Sequence, residues 1–316
     1  MSATRSKQVV CLSGGVGGAR LCHGLARALP PEQLTLIVNT GDDFRHWGLY
    51  ISPDVDTVMY TLADLADVAR GWGLAEESFT TLEMVTRYGG ETWFQLGDRD
   101  LATHVLRSQW LQEGQTLTAI TGRLCGSLGV GATILPMSDA PCPTMIETVT
   151  GTLSFQRWLV QQRAAHDVLR VFSNGDARAS DQVLRAIEAA DLVVFGPSNP
   201  YVSVDPILAL PGVRERIARK PVVAVSPIVH GAAVKGPLAR MLQTIGKTEP
   251  TPAAIAEHYA GLLTGLVVEH GDDASLPALM THDGHALRVL ASSTIMQTRE
   301  QSLLLAREVL QFAENL

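Results

Sequence analysis

Apolar and polar positions fall along this chain in blocks whose period can be read directly. Val9–Ser13 is a short apolar run stopped by Gly14 and Gly15. Residues 17–29 then carry apolar side chains at Leu21, Leu25, Ala28 and Leu29, with Arg20 and Arg27 between them. That spacing lays one apolar face along a helix. Pro30 and Pro31 end it, because proline removes a backbone donor and clashes with the preceding turn. Leu34–Val38 is a continuous apolar run, as expected of a parallel strand covered on both faces. Strand, glycine turn, helix, strand is the opening of a doubly wound α/β fold.

After Asp56 the period becomes helical. TVMYTLADLADVAR carries apolar positions at Val58, Met59, Leu62 and Leu65, and Phe79–Tyr88 continues in that style. Asp98 is expected to cap a helix with a stripe of Leu101, Val105 and Leu106. Residues 115–131 predict another helix, ending at Gly129 and Gly131. The block from about 57 to 131 therefore reads as a helical insertion over the sheet edge. Sheet-like runs return at Thr133–Pro136, Met145–Val149, Val168–Phe172, Asp191–Gly196, Pro221–Ser226, Gly265–Glu269 and Ala286–Leu290. Helices are expected at Ser180–Ala190 and Gln297–Phe312. The reading is one α/β domain over residues 1–316: a Rossmann-like, mostly parallel sheet flanked by helices.

Composition narrows the class. Hydrophobic residues make up 46% of the 316 and charged residues 18%, ordinary for a soluble globular protein. A net charge of −7 argues against a nucleic-acid-coating surface, which needs a basic face. No apolar stretch approaches the roughly 20 residues that span a bilayer, and MSATRSKQVV lacks the apolar segment of a signal peptide. Cys11, Cys22, Cys125 and Cys142 form no CxxC pair and read as buried thiols of a reducing compartment. A cytoplasmic protein without membrane or nucleic-acid partners is expected.

Chemistry concentrates between Val9 and Thr57. SGGVGGAR lacks the lysine and Ser/Thr of a P-loop, and Arg20 stands where the third glycine of GxGxxG would fall. Glycines still let a backbone approach an anion, and free N–H groups at a helix start point towards it. The turn reads either as a phosphate site or as a tight βα corner. Asp42, Asp43, Asp54 and Asp56 lie on two loops expected to share its rim. Carboxylates beside phosphates need a cation between them, typically magnesium; the plain alternative is turn and cap chemistry. Asp43 and Asp56 are favoured for function. Arg99 in LGDRD opposes a helix dipole, which suits either anion binding or a surface pair with Asp98 or Asp100. His104 reads as an ordinary helix histidine. Ser198 and Asn199 in GPSNP follow a buried strand and suit a purine edge or a helix cap. His282 and His285 sit in a polar late loop and read as surface.

SGGVGGAR, VNTGDD, SPDVDT, LGDRDLATH, LPMSD, GPSNP and AVSPI occur here in one order over roughly residues 9–312. In that order they resemble the 2-phospho-L-lactate transferase (CofD-like) family. The resemblance implies a step in coenzyme F-420 synthesis. A guanosine-diphosphate-activated small acid (phospholactyl, phosphoenolpyruvyl or 3-phosphoglyceryl) gives its phosphoacyl part to the 5′-hydroxyl of the deazaflavin Fo, and GMP leaves. It further implies Mg2+ dependence and a homodimer. Carried over by position, Asp56 and Arg99 match Fo-binding residues, and Asp43 and Asp56 match catalytic or metal carboxylates. Ser13, Gly14, Gly15, Gly17, Asn39, Ser198 and Asn199 fall in nucleotide- or phosphate-contacting segments. Gly18 and Ala19 occupy a turn position that varies in the family.

Two rivals stand beside this reading. One is a sugar-nucleotide-binding regulator of the YvcK-like group, which LGDRD and Asp56 argue against. The other is an NAD(P)-dependent oxidoreductase. The broken GxGxxG and the asparagine, rather than an acid, after the second strand argue against that.

Overall fold

The structure is a computed structural model, which describes residues 7–276, 280–281 and 284–316. His282 lies outside the described residues, and His285 is exposed. Seven strands build the central sheet: β1 (Val9–Ser13), β2 (Leu34–Val38), β3 (Thr133–Pro136), β4 (Leu192–Phe195), β5 (Val222–Val225), β6 (Gly265–Glu269) and β7 (Arg288–Ser292). Their spatial order is β7-β6-β5-β4-β1-β2-β3, and every pair is parallel. Neighbours change direction of succession at β1, which pairs with β2 on one side and β4 on the other. In a doubly wound sheet that switch point opens a crevice at the carboxyl ends of the strands.

The apolar runs are explained by burial on both faces. Val9 and Cys11 of β1 pack into one core with Leu34, Leu36, Val194 and Val223, while Val10 and Leu12 pack into a second with Ile37, Val193 and Phe195. The first core is closed by α1 (Gly15–Ala28), α2 (Pro53–Leu62) and the C-terminal helix Arg299–Ala313. Both α2 and the C-terminal helix lie against α1. At Gly24 a Cβ would run into the Ser302 carbonyl, so glycine sets how closely α1 and the C-terminal helix approach.

Several expectations shift. The helix after SPDVDT starts at Pro53 and ends at Leu62, so it belongs to the helical layer on the sheet. α3 (Thr80–Arg87), α4 (Asp100–Gln112) and α5 (Leu117–Ser127) follow. Asp98 does not cap α4. Its carboxylate accepts from Thr80 N and Thr81 N at 2.9 and 3.0 Å and caps α3 instead. Glu77 takes over at α4, accepting from Arg99 N and Asp100 N. The runs near 145 and 168 are strands, Thr144–Thr148 and Val168–Ser173, but they form a separate antiparallel sheet with Gly151–Ser154. The alternating burial of Thr144–Thr148 and the largely exposed side chains of Val168–Ser173, rather than continuous burial, fit that placement. A hairpin, Phe44–His46 with Leu49–Ile51, stands beside the site. Among the described residues no helix is long and apolar enough to cross a membrane.

Candidate active site

The turn after β1 is drawn tightly onto the turn after β4. Gly14 N donates to Ser198 Oγ at 3.2 Å, and the Ser198 hydroxyl donates to Gly14 O at 2.8 Å. A Cβ on Gly17 would stand 2.6 Å from the Pro197 carbonyl oxygen, and one on Gly18 would strike the Ser198 and Ser13 hydroxyls. Gly15 has φ +64°, the left-handed region glycine accepts freely. The glycines thus bring α1's N-terminus to the switch point. Gly14, the residue before α1, has no side chain to cap that end, and no acidic residue of α1 itself lies in its first turn.

Above this corner lies a cavity of about 600 Å³. Gly14, Gly15, Gly17, Asp42, Asp54, Asp56, Ser198 and Asn199 are among its lining residues. Ser13 and Asn39 lie fully buried beneath it. Asn39 organises the floor. Its Nδ2 donates to Asp42 Oδ1 at 3.1 Å and to Asp54 Oδ2 at 2.9 Å, and its Oδ1 accepts from Gly41 N at 2.8 Å. Asp54 Oδ1 accepts from Gly15 N at 2.7 Å, so α2's first turn is tied to α1's. Gln156 donates to Asp42 Oδ2 at 3.0 Å. Burial pushes Asp54 up to about 6, against the hydrogen bonds from Asn39 and Gly15. Burial, followed by the charge of Asp54, holds Asp42 well above the ordinary aspartate value. Two adjacent carboxyls disfavour double ionisation unless a cation joins them.

Asp43 and Asp56 occupy a different environment. Asp56 forms a two-pronged ion pair with Arg107, Nη1 to Oδ2 at 3.0 Å and Nη2 to Oδ1, and Arg107 is 0% exposed. Asp43 accepts from Ser52 Oγ at 2.6 Å, is raised chiefly by burial and is opposed by the charge of Arg107. Arg107 therefore already supplies the cation for both, and Asp43 does not line the cavity. His104 Nδ1 lies 3.3 Å from Arg107 Nη1, which can only donate, so Nδ1 is the acceptor and Nε2, 3.2 Å from Asp100 Oδ2, holds the hydrogen. Tyr60 donates to Asp100 at 2.6 Å. Among the described residues no cluster of three or more His, Cys, Asp or Glu side chains is disposed to hold a metal.

Arg99 is turned elsewhere. Its guanidinium donates to Ala75 O at 2.8 Å and lies 3.9 Å from Glu76, outside the cavity lining. Neither Asp98 nor Asp100 is its partner. Asn199 caps its own turn, accepting from Tyr201 N at 3.0 Å.

Sequence reasoning passed over the cavity's apolar wall. Trp93, Phe94 and Phe155 line it. Phe44 meets Phe94 edge-on at 4.9 Å and Trp93 at 5.5 Å, and Arg157 stacks on Trp93 at 5.4 Å. Their signal was an aromatic pair inside the polar stretch GGETWFQLGD, where nothing local explains two large rings.

A glycine corner at a topological switch point, a buried carboxylate pair and an aromatic wall surround one cavity of a doubly wound α/β fold. Residues 9–295 match the family model described as 2-phospho-L-lactate transferase CofD. The chain is 41% identical to a phosphoenolpyruvate transferase of Streptomyces griseus, over 97% of this chain and 98% of that one. It is 40% identical to a 2-phospho-L-lactate transferase of Methanosarcina mazei, over 96% and 99%. A UPF0052-family protein from Bacillus halodurans shares the fold, with a TM-score of 0.63 at 19% identity over 98% of this chain and all of that one. The chain belongs to the CofD 2-phospho-L-lactate transferase family and is a transferase of that type.

Proposed function

We propose that this protein acts in coenzyme F-420 synthesis, transferring the phosphoacyl group of a guanylylated small acid to the 5′-hydroxyl of the deazaflavin Fo. The observation that carries the reading is one cavity that joins the glycine-rich N-terminus of α1 to an aromatic wall. The glycine turn and Ser198 would receive the donor's diphosphate. Trp93 and Phe94 offer ring faces to a flat tricycle.

In the reaction, the Fo 5′-oxygen forms a bond to the β-phosphorus and the bond from that phosphorus to the bridging oxygen breaks, so the α-phosphate departs as GMP. The protein's work is alignment and charge neutralisation, since phosphoryl transfer asks for little covalent participation. Asp42 and Asp54 fit a divalent cation, because two adjacent buried carboxylates lack a cationic partner of their own. They would hold Mg2+. The ion would offset charge on the diphosphate. A carboxylate oxygen of Asp54 not engaged by the ion would take the hydroxyl proton. This gives Asp54 the part first expected of Asp56, whose carboxylate is bound to Arg107. Asp56 and His104 instead belong to a buried ionic network with Arg107 and Asp100.

The test is an assay of purified protein with Fo, Mg2+ and each of the lactyl, enolpyruvyl and glyceryl donors, with products resolved by mass. A phosphodiester of Fo together with GMP is expected from at least one donor. No product from any of them would sink the reading.

A further inference from the structure

Arg20 ends the glycine motif where a dinucleotide fold would have glycine, and neither the phosphate turn nor the carboxylate pair uses it. It lines the cavity, and its Nη1 donates to a neutral acceptor, Met296 O, at 2.5 Å. Lys235, on the loop after β5, lines the same cavity, and its Nζ donates to Gly71 O at 3.4 Å. Partial burial of its ammonium and the charge of Arg20 lower its pKa. Among the described residues no carboxylate lies within ion-pair distance of either cation.

The charges of the lining are uneven. Asp42, Asp54, Asp56 and Asp100 face the cavity, and Arg20 and Lys235 are the Lys and Arg side chains that do so. The proposed donor carries two kinds of anion, a diphosphate and the carboxylate of its small acid. In the transferase reading the diphosphate would have the α1 N-terminus and a cation that Asp42 and Asp54 would hold. The carboxylate has neither. Lys235 is set on the side formed by residues 71–73 rather than on the glycine turn. Its loop is fastened at the root, where His230 N donates to Asp272 Oδ2 at 3.0 Å and His230 Nδ1 lies 3.2 Å from Asp272 Oδ1. Two cations held near each other without a carboxylate between them form a receptor for one.

We infer that Arg20 and Lys235 together bind the carboxylate of the donor's small acid and so select an α-phosphorylated carboxylic acid over a plain nucleoside diphosphate. The inference rests on the transferase reading and names its substrate contact. The carboxylate is the group that the lactyl, enolpyruvyl and glyceryl donors share, so the contact suits whichever of them is used.

The experiment compares wild type with Lys235→Gln and Lys235→Arg. Lys235 is solvent-exposed on a loop, so neither change disturbs the core. The donor KM, the Fo KM and the affinity for GDP, which has the diphosphate but no acid, are measured for each. Lys235→Gln is expected to raise the donor KM about 10- to 100-fold, the range for losing a hydrogen bond to a charged group. GDP affinity and Fo KM are expected to stay within about twofold, and Lys235→Arg to recover most of the loss. If GDP affinity falls as far as donor affinity, the pair reads the diphosphate and the assignment is overturned. An unchanged donor KM in an active variant overturns it as well, leaving the transferase reading intact. Wild-type protein inert toward all three donors removes both.

Discussion

Asp56 is held by a fully buried guanidinium, which changes what its mutation can report. Asp56→Ala strands Arg107 without a partner, and breaking a buried pair from one side costs about 3–5 kcal/mol. The variant is therefore expected to unfold at clearly lower denaturant than wild type, with lost activity following lost fold. Equal denaturation midpoints would show the pair to be energetically idle. Asp42 and Asp54 are the better probes. Both carboxyls are raised in the folded state, so their contribution to stability is present below the ordinary aspartate range and is lost as pH rises through the folded values. For Asp54, a rise to about 6 is worth ~3 kcal/mol. In chelator-treated protein the melting temperature should fall between about pH 4 and pH 7, and Asp42→Asn should flatten that fall. Millimolar Mg2+ at pH 7.5 should restore wild type and leave Asp42→Asn unmoved; a metal-insensitive wild type would count against the ion.

Among the elements, the β1–α1 corner depends on close approach. Gly17→Ala sets a methyl against the Pro197 carbonyl, so the turn must open. A loss of about 1–3 kcal/mol in stability is expected, with weaker GDP binding by calorimetry. The TWFQ loop invites the converse test. Trp93→Ala should weaken Fo binding by roughly tenfold, about 1–2 kcal/mol, read from deazaflavin fluorescence, with nucleotide affinity kept. The strands β1, β2 and β6 and the glycine corner were legible because continuous burial and glycine punctuation are local signals. Asp98 was misassigned because a carboxylate can cap a helix on either side of it, and only the folded chain says which. Arg107 was invisible for a related reason. It sits mid-helix, where arginine is ordinary, and its importance comes from a partner on another helix.

At the scale of the molecule, the parallel sheet and its helical cover follow from runs of apolar residues between glycine and proline stops. The order β7-β6-β5-β4-β1-β2-β3 does not, because strand order is set by long-range packing. That order has a consequence for how the protein comes to exist. β1 leaves the ribosome early and finds β2 soon after, yet its other edge stays unpaired until Leu192–Phe195 has been synthesised. The glycine corner has no opposing Ser198 until then, so a nascent chain shorter than this carries the whole motif and no cavity. Pairing across so long an intervening segment is slow, and an open apolar strand edge is prone to association while it waits. Chains arrested before residue 192 should bind neither GDP nor Fo and should depend on chaperones, and binding should return only in chains long enough to carry Ser198 and the cavity loop through Leu238.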